Sequence, residues 1–266
     1  MSAVTEFIEQ TLISPRYLAG SGDPAWVTVP LHRACGWSCG NDLLMPRVIL
    51  TSPDWRAQLR LDPTPAPGEP WWNLRHTGHG QQRPYSIAFD AQTPVEIIAA
   101  ITDALTDPGA ALGVPYDDLY TPLRTAGWHA PRHHDGFTST EGMSSPDGLA
   151  RVDRIPDKDR TASWIVETSV HHLPPLWRAH LDGNTPTYLV SALFHALADT
   201  TPLMRSPERV PHQVTTHGTS SIRPVNAEDV ALALEDRTIA LAQRGAATVA
   251  QPAPPPPSAK APRRVR

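Results

Sequence analysis

The sequence is poor in the features that mark most specialised protein classes. Its 266 residues contain two cysteines, Cys35 and Cys39. That number excludes a disulfide framework and suits a reducing, cytoplasmic compartment. Apolar runs stop after a few residues, too short to span a bilayer, so no membrane role is expected. Met1-Ser2-Ala3-Val4-Thr5-Glu6 has neither the basic nor the apolar region of a secretory signal. Aromatic residues make up 6% and charged residues 19%. The net charge is −4, but its distribution matters more. Without the basic residues of the tail (Lys260, Arg263, Arg264 and Arg266), the body carries 19 basic against 27 acidic residues, a net −8. A duplex-DNA binder normally carries a basic body. Here only a local basic patch could serve nucleic acid. Proline, at 30 residues, is abundant, about twice the usual ~5%. With 40% hydrophobic residues, the chain suffices for one large domain or two small ones with a buried core.

Catalytic constellations are also missing. There is no Gly-x-Ser-x-Gly elbow, and Ser220-Ser221 lies in a polar stretch without strand-to-helix context. Gly20-Ser21-Gly22 lacks the later glycine and the helix that a phosphate cradle requires. Acid pairs such as Asp117-Asp118 can be assembled from any 27 carboxylates, so they point to no acid–base chemistry. Histidine is plentiful at 12, with pairs at His133-His134 and His171-His172 and a His76-x-x-His79 spacing. The sharpest metal candidate is His129, His133, His134 and Asp135, but Pro131, Arg132 and Gly136 mark that segment as a solvated loop. Zinc needs ligands held by an ordered outer shell. Cys35-x-x-x-Cys39 is one pair without a second, so both are read as thiols outside any metal site or disulfide. The expectation is a non-enzymatic protein with no metal and no cofactor.

An internal duplication organises the chain. Ser52-Pro53-Asp54 recurs as Ser145-Pro146-Asp147, an offset of 93 that also carries Ala57 onto Ala150, Leu59 onto Val152, Pro63 onto Pro156 and Trp71 onto Trp164. One residue is then lost. Tyr85 to Asp90 matches Trp177 to Asp182 at an offset of 92, which continues through Thr93-Pro94 on Thr185-Pro186 to Leu105 on Leu197 and Asp107 on Asp199. Upstream, Leu31 and Gly36-Trp37 answer to Leu123 and Gly127-Trp128.

Each copy reads as four strands and a helix. Arg47 to Thr51 is β-branched and apolar and ends at Ser-Pro-Asp, a turn signal. Ala57, Leu59 and Leu61 alternate with Arg56, Gln58 and Arg60. Trp71 to Arg75 is a third strand, whose inward face stays open because Trp72 and Leu74 align with Ile165 and Glu167. Tyr85, Ile87 and Phe89 make a fourth. The short connection between the first two predicts an antiparallel hairpin. Thr93, Pro94 and Glu96 predict a capping box. Behind it Ile97, Ile98, Ile101, Ala104 and Leu105 form an apolar stripe, repeated as Leu189, Val190, Leu193, Ala196 and Leu197. In the second copy Tyr188 replaces the box's acid.

The predicted fold is α+β: two tandem ββββα repeats, antiparallel sheets each covered by a helix, over residues 14–110 and 111–200. Residues 201–250 are expected to be a linker and a C-terminal helix, with Pro202 to Pro224 irregular and Asn226 capping a helix containing Val230, Leu232, Leu234, Ile239 and Leu241. Met1 to Ile13 reads as a short amphipathic helix, and Tyr116 and Tyr120 as packed between the repeats. Residues 251–266, with four consecutive prolines, read as a disordered, basic Pro-rich tail.

Ser-Pro-Asp, a following Trp and an aromatic before a Thr-Pro helix resemble the duplicated family labelled domain of unknown function 317, known mainly from streptomycetes. Arg16-Tyr17-Leu18-Ala19-Gly20-Ser21-Gly22-Asp23-Pro24 resembles that family's N-terminal signature. The resemblance covers Arg16 to Asp199 and implies the duplicated core, with no catalytic residues to carry over. Tandem ββββα units are also similar to the Whirly single-stranded-DNA-binding proteins, a likeness of topology alone.

The best local site is the polar face of the first repeat's sheet, where Arg47, Arg56, Arg60 and Arg75 can project beside Trp55. Arginines next to an exposed aromatic supply phosphate neutralisation and a stacking platform. An ordinary solvated face with an interfacial Trp has the same composition, and in the second repeat Trp55, Arg56 and Arg60 become Gly148, Leu149 and Asp153. The expected function is a binding or scaffolding module for a protein partner. The alternative is single-stranded nucleic acid.

Overall fold

The structure is a computed structural model that describes residues 6–41, 46–107, 109, 119–131, 141–156, 161–170, 173–217 and 219–250. Both predicted ββββα units are present. The first comprises β3 (Val48–Thr51), β4 (Ala57–Leu61), β5 (Trp72–His76), β6 (Tyr85–Phe89) and α2 (Val95–Thr106). The second comprises β7 (Glu141–Ser144), β8 (Ala150–Pro156), β9 (Ala162–Thr168), β10 (Trp177–Leu181) and α4 (Thr187–Ala198). A short β2 (Ser38–Asn41) extends the first unit at its outer edge, after α1 (Ala25–Arg33), and α3 (Thr121–Thr125) precedes the second unit.

The two expected sheets are continuous. β6 pairs antiparallel with β10, giving one nine-stranded sheet in the order β2-β3-β4-β5-β6-β10-β9-β8-β7. Equivalent aspartates pin the seam in mirror fashion. Asp90 accepts a hydrogen bond from the Arg178 backbone amide at 2.9 Å, and Asp182 accepts one from Ser86 at 2.5 Å. Each aspartate amide in turn donates to the carbonyl of that same opposite residue, at 3.0 and 3.1 Å. The seam therefore has a local twofold relation between the copies. α2 and α4 lie side by side and pack against each other, with Ile97, Ile101, Leu189 and Leu193 fully buried.

Pairing corrects the alignment of the third strand. Trp72 stands opposite Phe89 and Trp164 opposite Leu181, so Trp72, rather than Trp71, answers to Trp164. The lost residue thus falls in the loop before the strand. The inward face is then consistent, with Trp72 and Leu74 buried in one copy and Trp164 and Val166 in the other.

The helix starts also differ from expectation. No side-chain cap forms at α2 or α4, and the Thr93 and Thr185 hydroxyls are buried without a partner among the described residues. Tertiary groups take over at α2. The Val95 amide donates to the Ser21 carbonyl at 3.0 Å, and Glu96 is drawn to Arg205 at 2.7 and 2.8 Å. An ion pair with a buried guanidinium outcompetes a local box because Arg205, 6% exposed, has no water to fall back on.

Two peripheral expectations are overturned. Residues 7–14 form a strand, β1 (Phe7–Ser14), not an amphipathic helix. Pro202 to Pro224 is not irregular but holds β11 (Leu203–Arg205), α5 (His212–His217) and most of β12 (Thr219–Asn226). β1 lies between β11 and β12 in a second, three-stranded sheet. Ile8, Thr11 and Ile13 are β-branched, and a strand whose partners lie about 190 to 220 residues away gives no local pairing signal. Asn226 does cap α6 (Ala227–Ala250), its side-chain oxygen accepting from the Glu228 amide at 3.0 Å. α6 docks on α1 and α2 through Arg237, which pairs with Asp103 at 2.8 and 3.0 Å and lies over the Trp26 ring. Tyr120 packs within the second repeat, on Phe194 and Trp164, whereas Tyr116 lies outside the described residues. The tail, 251–266, lies outside them too. No helix of the described residues is long and apolar enough to cross a membrane.

Candidate functional site

Alternation along β4 and β5 decides which side chains share a face. Ala57, Leu59 and Leu61 point to the helices, leaving Gln58 and Arg60 on the other side. Arg75 stands opposite Gln58 and Asn73 opposite Arg60, so Arg60 and Arg75 share the face away from the helices. Arg56 enters β4 on the same side by parity, one residue after Trp55 at the hairpin tip.

Each of the four arginines has an acceptor in its own chain. Arg47 pairs with the buried Asp62 at 2.5 Å, Arg60 with Glu69 at 3.4 Å, and Arg56 with Asp54 at 3.9 Å. Arg75 donates to the neutral Asn73 amide oxygen at 2.9 Å. Arg47 is therefore a structural cation and stands apart from the other three. On the second repeat's half, Arg151 pairs with Asp153 and Arg178 with Glu167, both at 2.7 Å, so the outer face alternates in charge.

Trp55 is the outlier of this surface. It is 77% exposed and has a φ of +61°, a left-handed conformation that costs an L residue about 1–2 kcal/mol. The Ser-Pro-Asp turn imposes it. The Ser52 hydroxyl donates to Asp54 at 2.6 Å and accepts from the Ala57 amide at 2.9 Å. The Trp55 amide donates to the Ser52 carbonyl at 2.9 Å. Bond for bond the second copy repeats this. Ser145 donates to Asp147 at 2.6 Å and accepts from Ala150 at 2.9 Å, and Gly148 takes the left-handed position. The Ser52 hydroxyl is the main cause holding the Asp54 carboxyl below the usual carboxylate range.

The two turns differ in what meets the carboxylate. Asp147 accepts the Tyr17 hydroxyl on both oxygens at 2.8 Å, and the Tyr17 ring meets Trp128 edge-on, with centroids 5.9 Å apart. Burial foremost, with Asp147 adding to it, holds the Tyr17 hydroxyl protonated, well above its ordinary range. Asp54 instead opens on a cavity of about 460 Å³. Here His76 stacks on Tyr85 and its Nδ1 accepts from the Gly78 amide at 3.0 Å, while burial keeps its pKa below the usual histidine value.

The metal candidates do not assemble among the described residues, where no three His, Cys, Asp or Glu are placed to hold an ion. His133, His134, Asp135, His171 and His172 lie outside those residues, and His129 pairs its backbone with Ser144. Cys35 and Cys39 form no disulfide.

A family model described as SPDY, domain of unknown function (DUF317), matches residues 51–111 and 144–203. The chain carries a duplicated DUF317 domain. No curated protein and no solved structure gives a significant match. Each match opens at the Ser-Pro-Asp hairpin and runs past the repeat's helix, so this turn is the entry to both domains. The role of Tyr17 in the second DUF317 domain was not legible from its local sequence, because its contact spans 130 residues.

Proposed function

We propose that this protein is a non-catalytic binding module, acting in the cytoplasm, that holds a protein partner at the Ser-Pro-Asp hairpin of its first repeat. One observation carries the reading. A large aromatic side chain, Trp55, is kept exposed and in a strained backbone conformation where the sister hairpin uses glycine. Folding alone gives no reason for a tryptophan there, and tryptophan and arginine are both enriched among interface hot spots.

Arg56, Arg60 and Arg75 on the same face support a second reading, single-stranded nucleic acid stacked on Trp55. The acidic body and the acceptors already facing these arginines favour the protein partner.

A photo-crosslinking amino acid at position 55 of the full chain tests the reading. The captured protein is identified, purified, and titrated against wild type and Trp55→Ser. We expect at least about a tenfold loss of affinity, the scale of a tryptophan hot spot. Oligonucleotide binding by the wild type at low salt, weakening steeply at moderate salt and lost in Trp55→Ser, would replace this reading with the nucleic-acid one.

A further inference from the structure

The second repeat contains a filled version of a site that the first repeat leaves open. Gly36-Trp37 and Gly127-Trp128 stand in the same relation to the two turns. A β-carbon on Gly36 would lie 3.7 Å from Pro53 Cγ, and one on Gly127 would lie 3.4 Å from Pro146 Cγ. Both glycines have positive φ, 69° and 83°. The Trp37 amide donates to the Leu31 carbonyl at 3.0 Å, and the Trp128 amide donates to its counterpart, Leu123, at 2.9 Å. Trp and Ser-Pro-Asp therefore frame equivalent spaces. In the second repeat that space holds Tyr17, 3% exposed, with its hydroxyl on Asp147 and its ring against Trp128. In the first, Trp37, Ser52, Pro53, Asp54 and Ala57 line a cavity of about 460 Å³, together with Leu241 and Arg244 of α6.

We propose that this cavity is a receptor for a tyrosine side chain of the protein partner, bound as Tyr17 is bound in the sister repeat: hydroxyl donated to Asp54, ring edge toward Trp37. The inference rests on the protein-binding reading and names what the partner presents. The chemistry of the cavity narrows the ligand. Asp54, Asp103 and Asp107 line it, which disfavours a phosphate or carboxylate. Arg244 lines it and Arg56 flanks Asp54, which disfavours a second cation. A neutral donor on an apolar ring satisfies both. A phenol also matches the Asp54 carboxylate, which takes the Ser52 hydroxyl and the Arg56 amide on Oδ1, while its Oδ2 has the Arg56 guanidinium no nearer than 3.9 Å.

The test uses the full-length protein and two blocked tripeptides, acetyl-Gly-Tyr-Gly-amide and acetyl-Gly-Phe-Gly-amide, followed by the NMR shifts of the Arg56 and Ala57 amides. These amides bond to Asp54 and Ser52, so they report on the turn itself. The tyrosine peptide should shift both, and the phenylalanine peptide should bind about tenfold more weakly, as expected for losing one hydrogen bond to a charged acceptor. Asp54→Asn should bring the tyrosine peptide to the phenylalanine level, with the rest of the spectrum reporting that the fold is intact. The wild-type comparison needs no variant. Equal binding of the two peptides, or no shift of either amide at millimolar peptide, overturns the proposal. Neither peptide involves position 55, so the two readings fail separately. A crosslinked partner that depends on Trp55 while the peptides do not discriminate leaves the module without a tyrosine receptor. Discriminating peptides without such a partner leave the tyrosine site and remove the Trp55 reading.

Discussion

In the second repeat the carboxylate of the Ser-Pro-Asp turn is closed by Tyr17, which comes from a segment preceding both repeats. In the first repeat the same carboxylate faces a cavity, and the turn lifts Trp55 into solvent. At the helix starts the asymmetry runs the other way. Glu96 of the first repeat is clamped by the buried Arg205, whereas the equivalent position of the second is Tyr188, half-buried. Duplication has given one scaffold two sets of contacts, and the N-terminal segment reaches both. Tyr17 enters the second copy, while the Ser21 carbonyl and the Ala19 and Gly20 carbonyls that hold Arg205 brace the first. The copies share their backbone logic and divide their labour, one turn structural and the other open.

The clamp on α2 is the place to break this division most severely. Glu96→Gln would leave the Arg205 guanidinium, 6% exposed, without its counter-charge. Removing one partner of such a pair costs about 3–5 kcal/mol. The equivalent change in the second repeat, Tyr188→Phe, should cost less than about 1 kcal/mol, since a half-buried hydroxyl contributes no more than one ordinary hydrogen bond. Urea denaturation of both variants measures the difference. Equal losses would show that the N-terminal clamp does not favour the first repeat.

The two turn carboxylates give the next contrast. Tyr17→Phe removes the hydroxyl from Asp147 and should cost about 1.5 kcal/mol, near the lower bound for a bond to a charged group because water reaches the vacated carboxylate. Asp54→Asn keeps the Ser52 contact, loses nothing buried, and should stay within about 0.5 kcal/mol of wild type. Thermal denaturation of the pair decides it. A large loss in Asp54→Asn would mean that the first turn is as structural as the second.

The features legible in the sequence are those written in short range. The alternation of Ala57, Leu59 and Leu61 predicts a half-buried strand, and the stripes of Ile97, Ile98 and Ile101 and of Leu189, Val190 and Leu193 predict two covering helices; all of these residues are buried. Asn226 caps its helix because its partner is two residues away. The features that escaped depend on groups far apart. β1 is made a strand by β11 and β12. Glu96 leaves its predicted box for Arg205, 109 residues on, and Tyr17 meets Asp147 across 130. Joining of the sheets at β6 and β10 follows from Asp90 and Asp182, whose conservation of spacing between the copies says nothing of which strand they face. Within the candidate site, parity places Arg56, Arg60 and Arg75 on one face, and the Ser-Pro-Asp turn signal places Trp55 beside it. That Arg47 is already taken by Asp62, a residue fully withdrawn from solvent, follows from neither, because nothing in Leu61-Asp62-Pro63 distinguishes a buried carboxylate from a turn aspartate.

The smallest expected effect is the most direct probe of why the first turn keeps a tryptophan. Gly148 and Trp55 occupy the same left-handed position, φ +72° and +61°, and a β-carbon on Gly148 would meet nothing within 4 Å. Gly148→Ala therefore reports backbone strain with no steric term, and should cost about 1 kcal/mol. The reverse change, Trp55→Gly, relieves the same strain and removes a side chain that packs little, being 77% exposed. Its gain should be smaller, at most about 1 kcal/mol, because glycine also enlarges the conformational freedom of the unfolded chain. Urea denaturation at neutral pH compares the two. If Trp55→Gly stabilises the fold while weakening partner binding at least about tenfold, the tryptophan is kept against folding for recognition. If Trp55→Gly destabilises instead, the side chain contributes to the fold from where it lies, and the open turn of the first repeat is as much a structural element as the closed turn of the second.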